Sequence, residues 1–78
     1  MPTVLRSGPY RFYFFSHEPN EPAHVHVDRE RMTAKFWLEG VQLASQRGFA
    51  DYELNRIERI VQANLTALRR AWYEHLGS

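Results

Sequence analysis

The sequence predicts an α+β fold: a small antiparallel sheet of three to five strands, followed by one long C-terminal amphipathic helix packed on one face of the sheet. The first half of the chain alternates apolar and polar residues with the period of strands, and turn residues interrupt it. The second half carries apolar residues at every third or fourth position, which is the period of a helix. A length of 78 residues suits one domain, 1–78, with a sheet half at 1–48 and a helix at 49–77.

Five segments of the first half are predicted strands. They are Met1–Arg6, Tyr10–Ser16, His24–Glu30, Met32–Glu39 and a short edge strand at Val41–Ala44. Gly8-Pro9 marks the first turn, and the stretch 17–23 (HEPNEPA) has the prolines and polar residues of an exposed loop. Gly40 ends the fourth strand, and we predict a loop at 45–48.

The predicted helix runs from about Ala50 to Leu76. Its apolar residues follow one another in steps of three and four, which keeps them on one side of a helix. They are Leu54, Ile57, Val61, Leu65, Leu68, Trp72 and Leu76. We expect this apolar stripe to cover one face of the sheet. Asn64 lies close to the stripe, and we expect it to be a hydrogen-bonded spacer against the sheet.

The composition excludes several classes of function. The chain has no cysteine, which rules out disulfides, thiolate zinc sites and cysteine nucleophiles. Its formal net charge is +1, so charge alone does not predict strong nonspecific binding of nucleic acid. No apolar run approaches the roughly 20 residues of a membrane span, and the first residues contain no apolar stretch of a signal peptide. We therefore expect a cytoplasmic protein without membrane contact.

Side-chain alternation assigns the strand residues to two faces of the sheet. Val25, Val27 and Phe36 are expected to face the helix. The opposite side, which we call the outer face, then carries aromatic, basic and imidazole side chains that we expect to be exposed together. They are Arg11, Tyr13, Phe15, His24, His26, Lys35 and Trp37. Three interpretations are open: the loop and the N-terminal segment cover this cluster, one strand has the opposite alternation, or the cluster is a recognition face for a protein partner or for nucleic-acid bases.

Three of the four histidines, His17, His24 and His26, lie within ten residues. Because His24 and His26 are two apart on a predicted strand, both imidazoles point to one face, with Cα atoms about 6.6 Å apart. Such a pair can bind one metal ion together with Asp28 or a loop carboxylate, or it can serve as general acid and base. It can equally be the solvated side of a half-buried strand, where histidine is an acceptable residue.

Several motifs of the chain resemble one bacterial family, known as domain of unknown function 4160. The loop and strand that carry the histidines are the most specific part, and the resemblance covers nearly the whole chain. The motifs are Arg11–Phe14, His17–Pro19, Pro22–Val27, Phe36–Glu39, Gly48–Phe49, Asn64 and Trp72–Glu74. Gly40 stands where members of that family usually carry proline, which affects the local turn.

The resemblance implies a small bacterial protein with a partner chain. Members are often encoded beside a second small family, domain of unknown function 2442, in an arrangement that looks like a toxin–antitoxin pair. The chain would then be the toxin-side partner of a second small protein encoded nearby. The resemblance supplies neither a set of catalytic residues nor a cofactor.

The sequence leaves three functions open. The first is a toxin-side component that acts on RNA. Its candidate residues are His24, His26 and Arg11 for catalysis, and Tyr13, Lys35, Trp37 and His17 for binding. The second is a noncatalytic protein-interaction module whose interface is the aromatic face, and the third is a small metal-binding protein with His24 and His26 as ligands. The sequence also leaves open whether the chain is an enzyme and whether it pairs with a second copy of itself.

Overall fold

The computed structural model describes residues 3–15 and 21–76, which form a five-stranded antiparallel sheet followed by two helices. Each strand pairs with the strand before it in the chain, so the order across the sheet is β1-β2-β3-β4-β5. The strands are β1 Thr3–Ser7, β2 Tyr10–Tyr13, β3 His24–Arg29, β4 Met32–Trp37 and β5 Gln42–Arg47. The helices are α1 Asp51–Ala63 and α2 Leu65–Leu76. The arrangement is α+β, as predicted, but the prediction of one long helix at 49–77 is wrong.

The helical half is divided at Asn64, whose backbone leaves the α-helical region with φ −116° and ψ 16°. The Asn64 side chain donates a hydrogen bond from Nδ2 to the carbonyl oxygen of Ile60, at 2.8 Å. A side-chain donor at this carbonyl competes with the backbone ladder of a helix. The ladder resumes where the N–H of Leu68 donates to the carbonyl of Asn64 at 2.9 Å. The hydrogen-bond partner of the Asn64 side chain is therefore the helical backbone rather than the sheet.

The strands differ from their predicted bounds mainly at β2 and β5. β2 ends at Tyr13, whereas we expected it to continue to Ser16. β5 extends to Arg47, through part of the stretch predicted as a loop. Its residues are almost all exposed, so it lacks the apolar alternation of a half-buried strand. β5 is a strand because it pairs with β4. The register of this pairing is irregular between Lys35 and Phe36 of β4.

The turn before β5 has a backbone conformation that proline cannot adopt. Gly40 has φ +79° and Val41 has φ +46°, both in the left-handed region. Glycine adopts this region without steric cost. Val41 is buried, with 7% exposure, and its packing holds the less favourable backbone angle in place. The turn therefore depends on glycine at this position.

The inner face of the sheet and the two helices share one apolar core. Ile57 and Val61 of α1 are buried in it together with Leu68 and Trp72 of α2, as the predicted stripe requires. Their partners on the strands are Tyr10, Phe12, Val25, Val27, Ala34 and Phe36. Burial of these side chains is the main force that holds the helices on the sheet. No helix in the described part of the chain is long and apolar enough to cross a membrane.

An ion pair fastens the start of α1 to the sheet. Glu53 is buried, with 5% exposure, and its Oε1 lies 2.6 Å from Nη1 of Arg29. The hydroxyl of Tyr10 lies 3.5 Å from the other oxygen of this carboxylate. The hydrogen bond to Glu53 raises the pKa of Arg29. A buried carboxylate requires such partners, and these fix how α1 begins relative to β3.

Candidate functional site

The strand register places the side chains of the outer face in rows that run across the sheet. Directly paired residues of antiparallel strands point to the same face. One row consists of Tyr13, His26, Lys35 and Ser45. The next row consists of Arg11, Asp28, Thr33 and Arg47. Trp37 pairs with His24 and so lies on the side opposite Val25, as the alternation predicts.

Tyr13 is the centre of a polar network on β2 and β3. Its hydroxyl donates to Oδ1 of Asp28 at 3.0 Å, and Nη2 of Arg11 lies 3.6 Å from Oδ2 of the same carboxylate. The guanidinium of Arg11 also lies over the Tyr13 ring, 4.8 Å from its centroid. Burial and the hydrogen bond to Asp28 raise the pKa of Tyr13 to about 12. Tyr13 is thus a neutral donor, and with 6% exposure it does not have the exposed position that we expected.

His26 is held between two aromatic rings. The Tyr13 ring stacks on the imidazole with centroids 5.5 Å apart and an interplanar angle of 21°. The Phe15 ring approaches the imidazole edge-on, at 4.3 Å between centroids. His26 is half-buried and Phe15 is 36% exposed. The imidazole of His26 is therefore oriented by its neighbours and still reaches the surface, where it can contact a ligand.

His24 is completely buried, which corrects our expectation that both strand histidines are exposed. Its ring lies 4.8 Å from that of Trp72 in α2 and 5.8 Å from that of Trp37. Nδ1 of His24 lies 2.8 Å from the carbonyl oxygen of Pro22, so Nδ1 carries the proton that is donated. In this conformation His24 positions the two indoles and the start of β3, and its ring does not reach a ligand on the outer face.

The imidazoles of His24 and His26 lie close together, with centroids 5.1 Å apart and planes at 84°. Structural and catalytic zinc sites use three or four protein ligands. Within residues 3–15 and 21–76, no group of three His, Cys, Asp or Glu side chains is placed to hold a metal ion. His17, the third histidine of the sequence motif, lies outside the described residues. The described residues thus supply a pair of imidazoles rather than a complete metal centre.

Lys35 and Trp37 form a cation–aromatic pair on β4. Nζ of Lys35 lies 4.7 Å from the centroid of the Trp37 ring and forms an ion pair with Glu21. The side chain of Lys35 is 17% exposed, and Trp37 is half-buried. Glu21 offsets the charge of Lys35 and keeps the ammonium group beside the indole. The accessible part of this pair is therefore mainly the aromatic ring.

Sequence reasoning missed two residues of this face, Ser45 and Arg47. Their pairing with β4 brings them beside Lys35 and Thr33. A shallow depression of about 370 Å³, which we call the outer-face pocket, is lined by Phe15, by the whole first row and by Thr33 and Arg47 of the second row. The polar sequence of β5 carries little signal for its position, because nothing in it alternates with the period of a strand. Ser45 and Arg47 reach this face because β5 pairs with β4, and the pattern of the β5 sequence does not reveal it.

Comparisons with known proteins identify the family. The family model described as a domain of unknown function (DUF4160) matches residues 10–73, a range that contains β2 to β5, α1 and most of α2. It also contains the histidines of β3, the network of Tyr13 and the outer-face pocket. Neither the curated proteins nor the solved structures give a match. Because the model covers most of the sequence, the chain belongs to the family of domain of unknown function 4160.

Proposed function

We propose that this chain is the toxin-side component of a bacterial toxin–antitoxin-like pair and that it acts on RNA through the outer face of its sheet. One observation carries the proposal: aromatic rings and cationic side chains lie side by side on the outer face of the sheet. Single-stranded RNA is recognised on such faces, because its bases stack on aromatic rings and its phosphates pair with arginine and lysine.

The rings of the outer face divide into contacting and supporting groups. Phe15, with 36% exposure, and the half-buried Trp37 present ring surface to solvent. Tyr13 is nearly covered and supports His26 by stacking. Stacking of one base on an aromatic side chain contributes about 1–3 kcal/mol. Phe15 and Trp37 are therefore the residues that we expect to supply most of the affinity for RNA.

The charges of this face favour weakly salt-dependent binding. Asp28 offsets Arg11, and Glu21 offsets Lys35. Arg47, in the second row, forms no ion pair within the described residues. Its charge is therefore available for a phosphate. Each phosphate contact to a single strand adds a slope of about −0.7 to the dependence of log K on log salt. We expect a shallow slope of log K against log salt, and we expect stacking to contribute more to the affinity than charge does.

His26 is the imidazole that we assign to RNA cleavage. It would accept the proton of a ribose 2′-hydroxyl while that oxygen attacks the adjacent phosphorus. The bond from phosphorus to the 5′-oxygen then breaks, the 5′-oxygen takes a proton from water, and a 2′,3′-cyclic phosphate remains. Arg11 would add positive charge near the phosphate, and His24 would act only by positioning its neighbours.

RNA binding can be measured with the full chain and a fluorescently labelled single-stranded RNA. Trp37→Ala removes a ring that has a cation beside it. Tyr52→Ala is the matched control, because Arg56 lies 6.0 Å from the Tyr52 ring on α1, away from the outer face. We expect Trp37→Ala to weaken binding about 5- to 100-fold and Tyr52→Ala to leave it unchanged. Unaltered binding by Trp37→Ala would count against RNA as the ligand of this face.

Growth experiments test the biological role and the role of His26. We expect the chain to slow bacterial growth when expressed alone, and its neighbouring gene product to restore growth and co-purify with it. His26→Ala should abolish the growth defect. His75→Ala is the control, since His75 packs 5.7 Å from Phe14 near the end of α2. A folded His26→Ala variant that remains fully toxic refutes the catalytic assignment.

A noncatalytic protein-interaction module is the second candidate, and the edge of the sheet favours it. β5 is a terminal strand of the sheet, and its Leu43 is 42% exposed. Such an edge can accept a strand from a partner protein or from a second copy of the chain. Co-purification with the neighbouring gene product, combined with no RNA binding and no effect of His26→Ala, would select this function over the first. Size-exclusion chromatography of the isolated chain identifies a second copy as the occupant.

A further inference from the structure

The outer-face pocket has two chemically different ends. The rings of Tyr13, Phe15 and His26 form one end. The hydroxyls of Thr33 and Ser45 and the guanidinium of Arg47 form the other end. The volume of about 370 Å³ falls within the range of pockets that bind small molecules.

The register of the sheet fixes the separation of the two ends. His26 pairs with Lys35, and Lys35 pairs with Ser45, so His26 at the aromatic end lies two strand spacings from Ser45 at the polar end. At about 4.8 Å for each spacing, this separation is roughly 10 Å. A ligand that fills the pocket therefore combines a flat ring with a polar group held at a distance from it.

The polar end favours an anion. Arg47 is exposed, and no carboxylate of the described residues forms an ion pair with it. Asp28, which lies in the same row, already accepts the hydroxyl of Tyr13 and pairs with Arg11. A guanidinium binds phosphate through two parallel hydrogen bonds, and neighbouring hydroxyls can donate further ones. The residues around Arg47 therefore suit a phosphate group better than a metal cation or an uncharged ligand.

We propose that the outer-face pocket binds one nucleotide, with the base against Phe15, the ribose beside His26 and the 5′-phosphate at Arg47 between Thr33 and Ser45. This inference rests on the proposed function, since it states how one unit of an RNA strand is held on the outer face. The same chemistry is offered by a free nucleoside monophosphate. A nucleoside without phosphate fills only the aromatic end, and inorganic phosphate fills only the polar end.

Titrations of the full chain distinguish these ligands. The probes are AMP, adenosine, inorganic phosphate and a short single-stranded RNA, with binding followed by calorimetry and by NMR shifts of the residues of β3 and β5. We expect AMP to bind at least about tenfold more tightly than adenosine or phosphate. Arg47→Gln should weaken AMP binding about tenfold, because it removes a charge-assisted contact to phosphate. Arg59→Gln removes the same charge from the exposed side of α1 and should have no effect.

The outcomes separate the pocket from the proposed function. If the chain binds RNA through Trp37, but AMP binding is absent or indifferent to Arg47→Gln, the nucleotide pocket is overturned and RNA binding stands. If AMP binds in a manner that depends on Arg47, but RNA does not bind, the pocket is supported as a site for free nucleotides and the RNA function falls. If Arg47→Gln and Arg59→Gln weaken AMP binding equally, the attraction is a general effect of charge and the pocket is overturned. Phe15→Leu, a change at an exposed ring, tests the aromatic end independently and should weaken AMP and adenosine alike.

Discussion

Tyr13→Phe removes one hydroxyl from the network with Asp28 and Arg11, and the structure determines how its effect depends on pH. A hydrogen bond to a charged acceptor contributes about 1.5–3 kcal/mol. The side chain of Asp28 is 26% exposed and keeps Arg11 at 3.6 Å, so water and Arg11 replace part of the lost donor. We therefore expect the substitution to lower the free energy of unfolding by about 1–2 kcal/mol at neutral pH.

The contribution of the Tyr13 hydroxyl to the free energy of unfolding decreases above pH 10. An unfolded tyrosine loses its proton near the ordinary pKa of 10.0, whereas folded Tyr13 keeps its proton up to a pKa of about 12. Between these values the unfolded chain binds fewer protons than the folded chain, so the free energy of unfolding falls as pH rises. The stabilisation is fully present below pH 10 and is lost towards pH 12. At pH 11 the loss is at most about 1.4 kcal/mol, and solvent around the partly exposed network reduces it.

Urea unfolding near pH 8 and pH 11 measures this effect in the native chain, in Tyr13→Phe and in Tyr73→Phe. Tyr73 is 49% exposed on α2, so its substitution controls for the general loss of a phenol. We expect the difference in unfolding free energy between the native chain and Tyr13→Phe to shrink from pH 8 to pH 11. Tyr73→Phe should follow the native chain at both values. A Tyr13→Phe variant that loses as much stability as the native chain over this range refutes the reasoning.

Four further substitutions test the packing and the division of the helices. Leu68→Ala, at 2% exposure, should lower the free energy of unfolding in urea by about 2–5 kcal/mol, and half-buried Leu65→Ala by less; equal losses would contradict this difference in burial. Gly48→Ala adds a Cβ that would lie 2.9 Å from Cγ of Met32 at φ +91°, so its melting temperature should fall, and an unchanged value would disprove this strain. Asn64→Ala should increase the helical circular dichroism signal, and a decrease would refute the cause assigned to the break.

The faces of β3 and β4 were predictable because alternation is a property of the strand itself. Val25 and Val27 pair with Phe36 and Ala34 on the inner face, as their apolar character indicates. The division at Asn64 was not predictable from the same kind of signal. Apolar residues continue at helical spacing on both sides of it, and the side-chain hydrogen bond of Asn64 that accompanies the break leaves no mark in the apolar pattern.

On β3 and β4, the face to which each side chain points was predictable, but its exposure was not. Alternation places His24, His26 and Trp37 on one face, and the register confirms this grouping. The burial of His24 depends on Trp72, which is far away in the sequence and reaches the imidazole only through the packing of α2. Arg47 escaped prediction because β5 is a polar strand that only pairing with β4 defines. Local patterns report the direction of a side chain, whereas its accessibility depends on contacts between distant segments.

The sequential order of the strands has a consequence for how the chain folds during synthesis. Each strand pairs with its immediate predecessor, and two residues connect β1 to β2 and β3 to β4, so the closure of these hairpins costs little entropy. The sheet can therefore assemble on the ribosome hairpin by hairpin. Its inner face, however, is covered only in part by Ile57 and Val61 until Leu68 and Trp72 leave the exit tunnel. The nascent chain exposes apolar surface until α2 has emerged, and a chain that stops after α1 should aggregate.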